Sequence, residues 1–122
     1  MATPISDAES EVMQVLWRKA PRSAEEVIEA LAATRDWQDA TVKTLLNRLL
    51  NKGAIRAEKD GRRYLYAPLL SREDWIAGES ESLLQRLFDG RVAPLVAHFS
   101  QHRKLSKKDI AELRRLVEEL DK

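Results

Sequence analysis

The chain has 122 residues, with 21 Lys and Arg against 20 Asp and Glu, a formal net charge of +1. That balance argues against a polybasic, histone-like protein and against an acidic solvating tail, and the length suits one compact domain or a small domain with an oligomerisation element. No cysteine is present, which removes disulfide frameworks, thiolate zinc sites, iron–sulfur clusters and cysteine nucleophiles together.

Helix signals come first and are well punctuated. Ser6 followed by Glu9 forms a capping box, and the run behind it carries Val12, Val15 and Leu16 on one face with Met13 and Trp17 beside them, up to Pro21. Ser23 with Glu26 is a second capping box, opening a helix with Val27, Ile28 and Leu31 as its apolar face. A third helix is predicted over 39–52. Its apolar residues Val42, Leu45, Leu46, Leu49 and Leu50 recur at helical spacing, and Gly53 stands where a left-handed C-terminal cap belongs.

The period then changes. Ile55 and Ala57 alternate with Arg56 and Glu58, Asp60-Gly61 is a strong hairpin signal, and Tyr64, Leu65 and Tyr66 are strand formers. Two antiparallel strands are predicted, at 54–59 and 62–67. Helices return over 71–89, 91–101 and from Ser106 onward, the last with the stripe Ile110, Leu113, Leu116, Val117 and Leu120. The Pro68–Ser71 junction divides a first domain, 1–70, from a helical region, 71–122. Trp17, Trp37, Trp75, Tyr64 and Tyr66 fall inside apolar patterns and read as core rather than as base-stacking platforms.

The near-neutral total conceals an uneven distribution. Residues 1–38 carry a net −3, residues 39–70 a net +4, and residues 71–122 are balanced. The positive excess sits on the third helix and the hairpin, which is the electrostatic footprint of a nucleic-acid reader. Three helices followed by a hairpin, with that charge placement, predict a mainly α fold with a small β-hairpin: a winged helix-turn-helix domain followed by a helical dimerisation region. The third helix would enter the major groove of double-stranded DNA and the wing would follow the backbone. Opposite the leucine face the third helix presents Thr44, Asn47 and Arg48, with Thr41 and Lys43 on the flanks. These side-chain types match base edges and phosphates, and Arg62 and Arg63 at the wing turn suit phosphates.

Other classes are weaker. No apolar run approaches the ~20 residues of a membrane span and the opening MATPISDAESE is acidic, so a cytoplasmic protein is expected. Neither GxGxxG nor GxxxxGK occurs, and the carboxylates sit at helix caps and on solvated faces, so no catalytic residue is assigned. His98 and His102 have the i, i+4 spacing of a chelating pair, yet no third ligand follows on that face. No metal and no cofactor are expected. A winged-helix module that binds protein, and a DNA-binding protein released by a direct ligand or metal, are the competing readings.

Four blocks, ISDAESEVMQVLW, TVKTLLNRLLNKGAI, GRRYLYAPLLSRED and LVAHF, resemble in order and spacing the BlaI/MecI/CopY family of bacterial transcriptional repressors. The resemblance covers about Ile5 to Leu120. It implies a homodimeric repressor on a palindromic operator upstream of resistance genes, with DNA contacts at Thr41, Lys43, Thr44, Asn47, Arg48, Arg62 and Arg63. In β-lactam-responsive members a membrane sensor with a zinc-protease domain detects the antibiotic, and the signal ends in cleavage of the repressor. The bond cut in the best-known members is Asn-Phe, and the matching pair here is His98-Phe99. The copper-responsive branch carries a C-terminal cysteine cluster, which this chain lacks. Independently of the resemblance, three amphipathic helices of neutral charge, one of them short, bury little alone and call for a second copy.

Overall fold

A computed structural model describes residues 4–102 and 105–122. Its elements run α1 (Asp7–Arg18), β1 (Arg22–Ser23), α2 (Ala24–Ala32), α3 (Asp39–Asn51), β2 (Ile55–Asp60), β3 (Arg63–Pro68), α4 (Arg72–Phe88), α5 (Val92–His102) and α6 (Lys107–Leu120). The chain divides into two compact units, one ending at Glu79 and the other beginning at Ser80.

Both capping boxes form. The Ser6 hydroxyl accepts from the Glu9 amide at 3.1 Å while the Glu9 carboxylate accepts from the Ser6 amide at 2.7 Å. Ser23 and Glu26 repeat the arrangement at 3.2 and 3.0 Å. Each box satisfies two amides that the first turn leaves without a helical partner.

α3 ends in a Schellman motif. The Ala54 amide donates to the Leu49 carbonyl and the Gly53 amide to the Leu50 carbonyl, both at 3.0 Å. Gly53 takes a φ of +75°, which a side chain would oppose. Ala54, fully buried, is thereby held in the core and the first wing strand starts one residue later than predicted, at Ile55.

The hairpin turn is also displaced by one residue. Asp60 pairs with Arg63, so Gly61 and Arg62 form the two-residue loop instead of Asp60 and Gly61. Gly61 has φ +64° whereas Arg62 does not enter the positive region, the φ pattern of a type II′ turn. A third strand, absent from the sequence reading, completes the sheet. β1 pairs antiparallel with β3, Arg22 opposite Tyr66 and Ser23 opposite Leu65, giving the order β1-β3-β2.

The core of the first unit joins Val12, Met13, Val15 and Leu16 of α1, Val27 and Leu31 of α2, and Val42, Leu45, Leu46 and Leu49 of α3, closed by Ala54 and Ile55. Trp17, Trp37 and Tyr66 pack at its margin. Tyr64 does not: it is 52% exposed on the wing, against the expectation of a core residue. The β2–β3 register sets Tyr64 of β3 opposite Lys59 of β2, near the turn and beyond the end of the core. The Trp17 indole donates to the Leu70 carbonyl at 2.9 Å and its ring lies 5.3 Å from that of Trp75, so the first turn of α4 packs with this unit.

In the second unit α4 stops at Phe88, with Asp89 and Gly90 both at positive φ. Ser106 caps α6 by accepting from the Asp109 amide at 3.0 Å. None of the residues of α4, α5 or α6 is buried. Leu87, Val92, Leu116, Val117 and Leu120 are exposed apolar side chains.

Candidate nucleic-acid interface

Every third or fourth residue of α3 is driven inward by burial of its branched apolar side chain, which fixes the rotation of the helix about its axis. Val42, Leu45, Leu46 and Leu49 are buried, and Thr41, Lys43, Thr44, Asn47, Arg48 and Asn51 are exposed. The five predicted helix contacts therefore share the solvent-facing side of one helix, Thr44, Asn47 and Arg48 at its centre and Thr41 and Lys43 at its borders. The Thr44 hydroxyl donates to the Ala40 carbonyl at 2.9 Å, leaving its lone pairs for an outside donor and its methyl free to meet an apolar group.

Arg62 and Arg63 lie at the tip of the wing, both exposed. Arg63 holds Asp60 at 3.4 Å across the turn, an exposed pair worth little that a phosphate can displace. Lys43, Arg48, Lys59 and Arg62 have no acidic partner among the described residues, so their charge is available to an external anion.

Lys52 is different, though it belongs to the same basic stretch. Its ammonium donates to the Glu9 carboxylate at 2.6 Å, and Glu9 is 2% exposed. Burial pushes the Glu9 carboxyl up, but the bonds from Lys52 and Ser6 outweigh it and hold the group below its usual value. The partners stand 43 residues apart, and Glu9 has a sufficient local explanation as a capping residue, so this pair left no sequence signal.

The turn before α3 is also braced. The Arg35 guanidinium donates to Glu11 of α1 at 2.8 Å and lies 5.6 Å from the centre of the Trp37 ring. Arg35 and Glu11 stand 24 residues apart, too far for local spacing to join them in the sequence.

His98 and Phe99 lie on α5, both exposed. The His98 and His102 rings are 4.6 Å apart, and His98 is 5.8 Å from the Phe99 ring. Among the described residues no three metal-binding side chains cluster, and no helix is long and apolar enough to cross a membrane.

Residues 5–119 match the penicillinase repressor family. The penicillinase repressor of Bacillus licheniformis is 39% identical over 115 residues, covering 94% of this chain and 90% of that protein. The chain belongs to the penicillinase repressor family. A second member, the methicillin resistance regulatory protein MecI of Mammaliicoccus sciuri, is 35% identical over 113 residues, 93% of this chain and 92% of that one. The solution structure of the monomeric form of Bacillus licheniformis BlaI in complex with the blaP half-operator is 40% identical, with a TM-score of 0.53. It covers 61% of this chain and 90% of that one. The mainly α architecture with a small antiparallel sheet is therefore the winged-helix fold of this repressor family.

Proposed function

We propose that this penicillinase repressor family member is a dimeric, sequence-specific repressor that binds a palindromic operator. Residues 1–70 would supply the DNA-binding domain and residues 71–122 the dimerisation region. The observation that carries the reading is the α3 face: five side chains suited to base edges and phosphates, on a helix whose other side is locked into the core. α3 occupies the major groove, with Arg48 and Asn47 against base edges and Thr41, Lys43 and Thr44 flanking them. Arg62 and Arg63 neutralise phosphates beside the groove. The BlaI–half-operator complex supports this placement by likeness.

Dimerisation is supported by the unburied apolar side chains of α4, α5 and α6. Along α6, Ile110, Leu113 and Val117 line an open trough of about 510 Å³. Two linked winged domains bind an inverted repeat far more tightly than one, so loss of the dimer releases the operator. Relief follows from cleavage at His98–Phe99, by a membrane sensor with a zinc-protease domain or a protease it activates. The bond lies in α5, a helix with no buried residue, where local unwinding to an extended substrate costs little.

Selection of bound duplexes from a randomised pool tests the reading. Two inverted half-sites are expected, with affinity that falls steeply with salt. Absence of any enriched sequence, or binding indifferent to salt, overturns it. After exposure of the source cells to a β-lactam, a fragment ending at His98 is expected, and an intact chain in derepressed cells excludes cleavage as the switch.

A further inference from the structure

Glu9 is the least exposed charged side chain described in the molecule, and DNA binding makes no direct use of it. One carboxylate oxygen, Oε1, accepts both from the Ser6 amide at 2.7 Å and from the Lys52 ammonium at 2.6 Å. The other, Oε2, is buried without a hydrogen-bond partner. A buried carboxylate with an orphaned oxygen is costly, and stability alone does not favour it over an apolar core residue. Its position supplies another reason.

Lys52 is the C-cap of α3 and is followed at once by Gly53 and Ala54. Those three residues are the junction between the recognition helix and the wing. The Ala54 carbonyl also accepts from the Leu69 and Leu70 amides, at 2.8 and 3.0 Å, so the wing returns to the same point. The Glu9–Lys52 bond thus joins the first turn of α1 to the place where helix and wing diverge.

We infer that Glu9 and Lys52 are a positioning pair for operator recognition: the bond fixes the angle between α3 and the wing so that both can engage one half-site. The inference rests on the reading of α3 and the wing as the DNA-binding surface. It also assigns Lys52 inward, as a strut, although the charge pattern groups it with the phosphate-binding cations. A misaligned helix and wing can still satisfy phosphates singly, on any sequence. What is lost is simultaneous engagement, which a specific site requires and non-specific DNA does not.

The test uses the full chain, an operator duplex taken from the selection above and a scrambled duplex of equal length. Glu9→Gln keeps the capping box, because a glutamine amide oxygen accepts from the Ser6 amide, but loses the charged bond to Lys52. Lys52→Met keeps the aliphatic stem, and the double variant avoids stranding a buried charge if Lys52→Met alone does not fold. Lys52→Arg is the conservative control, since a guanidinium can reach both carboxylate oxygens. All are measured well below their melting temperatures.

Glu9→Gln and the double variant are expected to lose about tenfold in operator affinity relative to the scrambled duplex, a size typical of coupled neighbours. Their salt slope is expected to stay unchanged, and Lys52→Arg is expected to keep the wild-type ratio. A lower melting temperature with an unaltered operator-to-scrambled ratio overturns the inference, as it assigns the pair to stability alone. A salt slope reduced by about one unit in Lys52→Met or in the double variant also overturns it, because Lys52 is then a phosphate contact. If the wild-type chain itself discriminates no duplex, the DNA-binding reading falls, and the positioning role falls with it.

Discussion

At the scale of single residues, the proposed interface divides into side chains suited to base edges and side chains suited to phosphates. Arg48, at the centre of the exposed face of α3, is the candidate for a bidentate base contact. Arg48→Ala should cost about 1–3 kcal/mol and relax preference at one operator position, read by repeating the duplex selection. Arg62→Ala should weaken binding to all duplexes alike and lower the salt slope by about one unit, measured by anisotropy across a salt series. Arg63→Ala should do the same after loss of its contact with Asp60, which is too exposed to compete with a phosphate.

Glu9 makes a residue-scale prediction of another kind. Its carboxyl is held below its usual value in the folded chain, so the folded state binds its proton less readily than the unfolded state. The stabilisation is complete above the ordinary glutamate value. It declines as pH falls through the interval down to the folded value, and is absent below it. Urea unfolding from neutral to acid pH should show this decline in the wild type and a shallower one in Glu9→Gln. Equal pH profiles for the two would contradict the assignment.

At the scale of elements, the helices were legible because their determinants are local. A capping box occupies four consecutive residues, and the burial stripe of α3 is written in its own spacing. The sheet was less legible for matching reasons. β1 is two residues long, too short for any alternation, and is a strand only because β3 lies beside it. The turn register slipped by one because a glycine with positive φ fits the first position of one turn type as well as the second of another. Tyr64 was misread because alternation says which face a residue takes but not where the core ends. The candidate helix contacts needed only helix periodicity, whereas the Glu9–Lys52 strut needed the tertiary fold.

The end of α3 is pinned by Gly53, at φ +75°. A Cβ at Gly53 would meet no atom within 4 Å, so substitution there tests backbone conformation alone. Gly53→Ala should destabilise the first unit by about 1 kcal/mol through the left-handed φ, with Gly53→Asn losing less. Equilibrium denaturation measures both.

At the scale of the whole molecule, the net charge of +1 is the sum of an acidic segment, 1–38, a basic segment, 39–70, that holds α3 and the wing, and a neutral C-terminal region. That distribution confines the excess positive charge, and with it non-specific attraction to polyanions, to the segment that carries α3 and the wing. The neutral region also leaves apolar side chains exposed on α6, among them Val117 at 63% and Leu120 at 86%. Val117→Glu should shift the chain toward monomer in sedimentation. It should also lower affinity for the inverted repeat by about 10²-fold or more while sparing a single half-site. A sedimentation coefficient equal to the wild type's at every concentration would overturn the role proposed for α6 in dimerisation.

The strand order has a consequence for handling the protein at high concentration. With β3 in the middle, β2 is an edge, and its outer amides and carbonyls form a ladder open to any extended segment. That edge is short and carries Arg56, Glu58, Lys59 and Asp60 in succession around a single alanine. A second chain adding a strand there would bring like charges into register or leave them without water, so the wing is guarded against edge-to-edge aggregation by side chains on its own rim. Neutralising them, as in Lys59→Val with Glu58→Thr, should leave the fold intact and lower the concentration at which the chain begins to aggregate on storage.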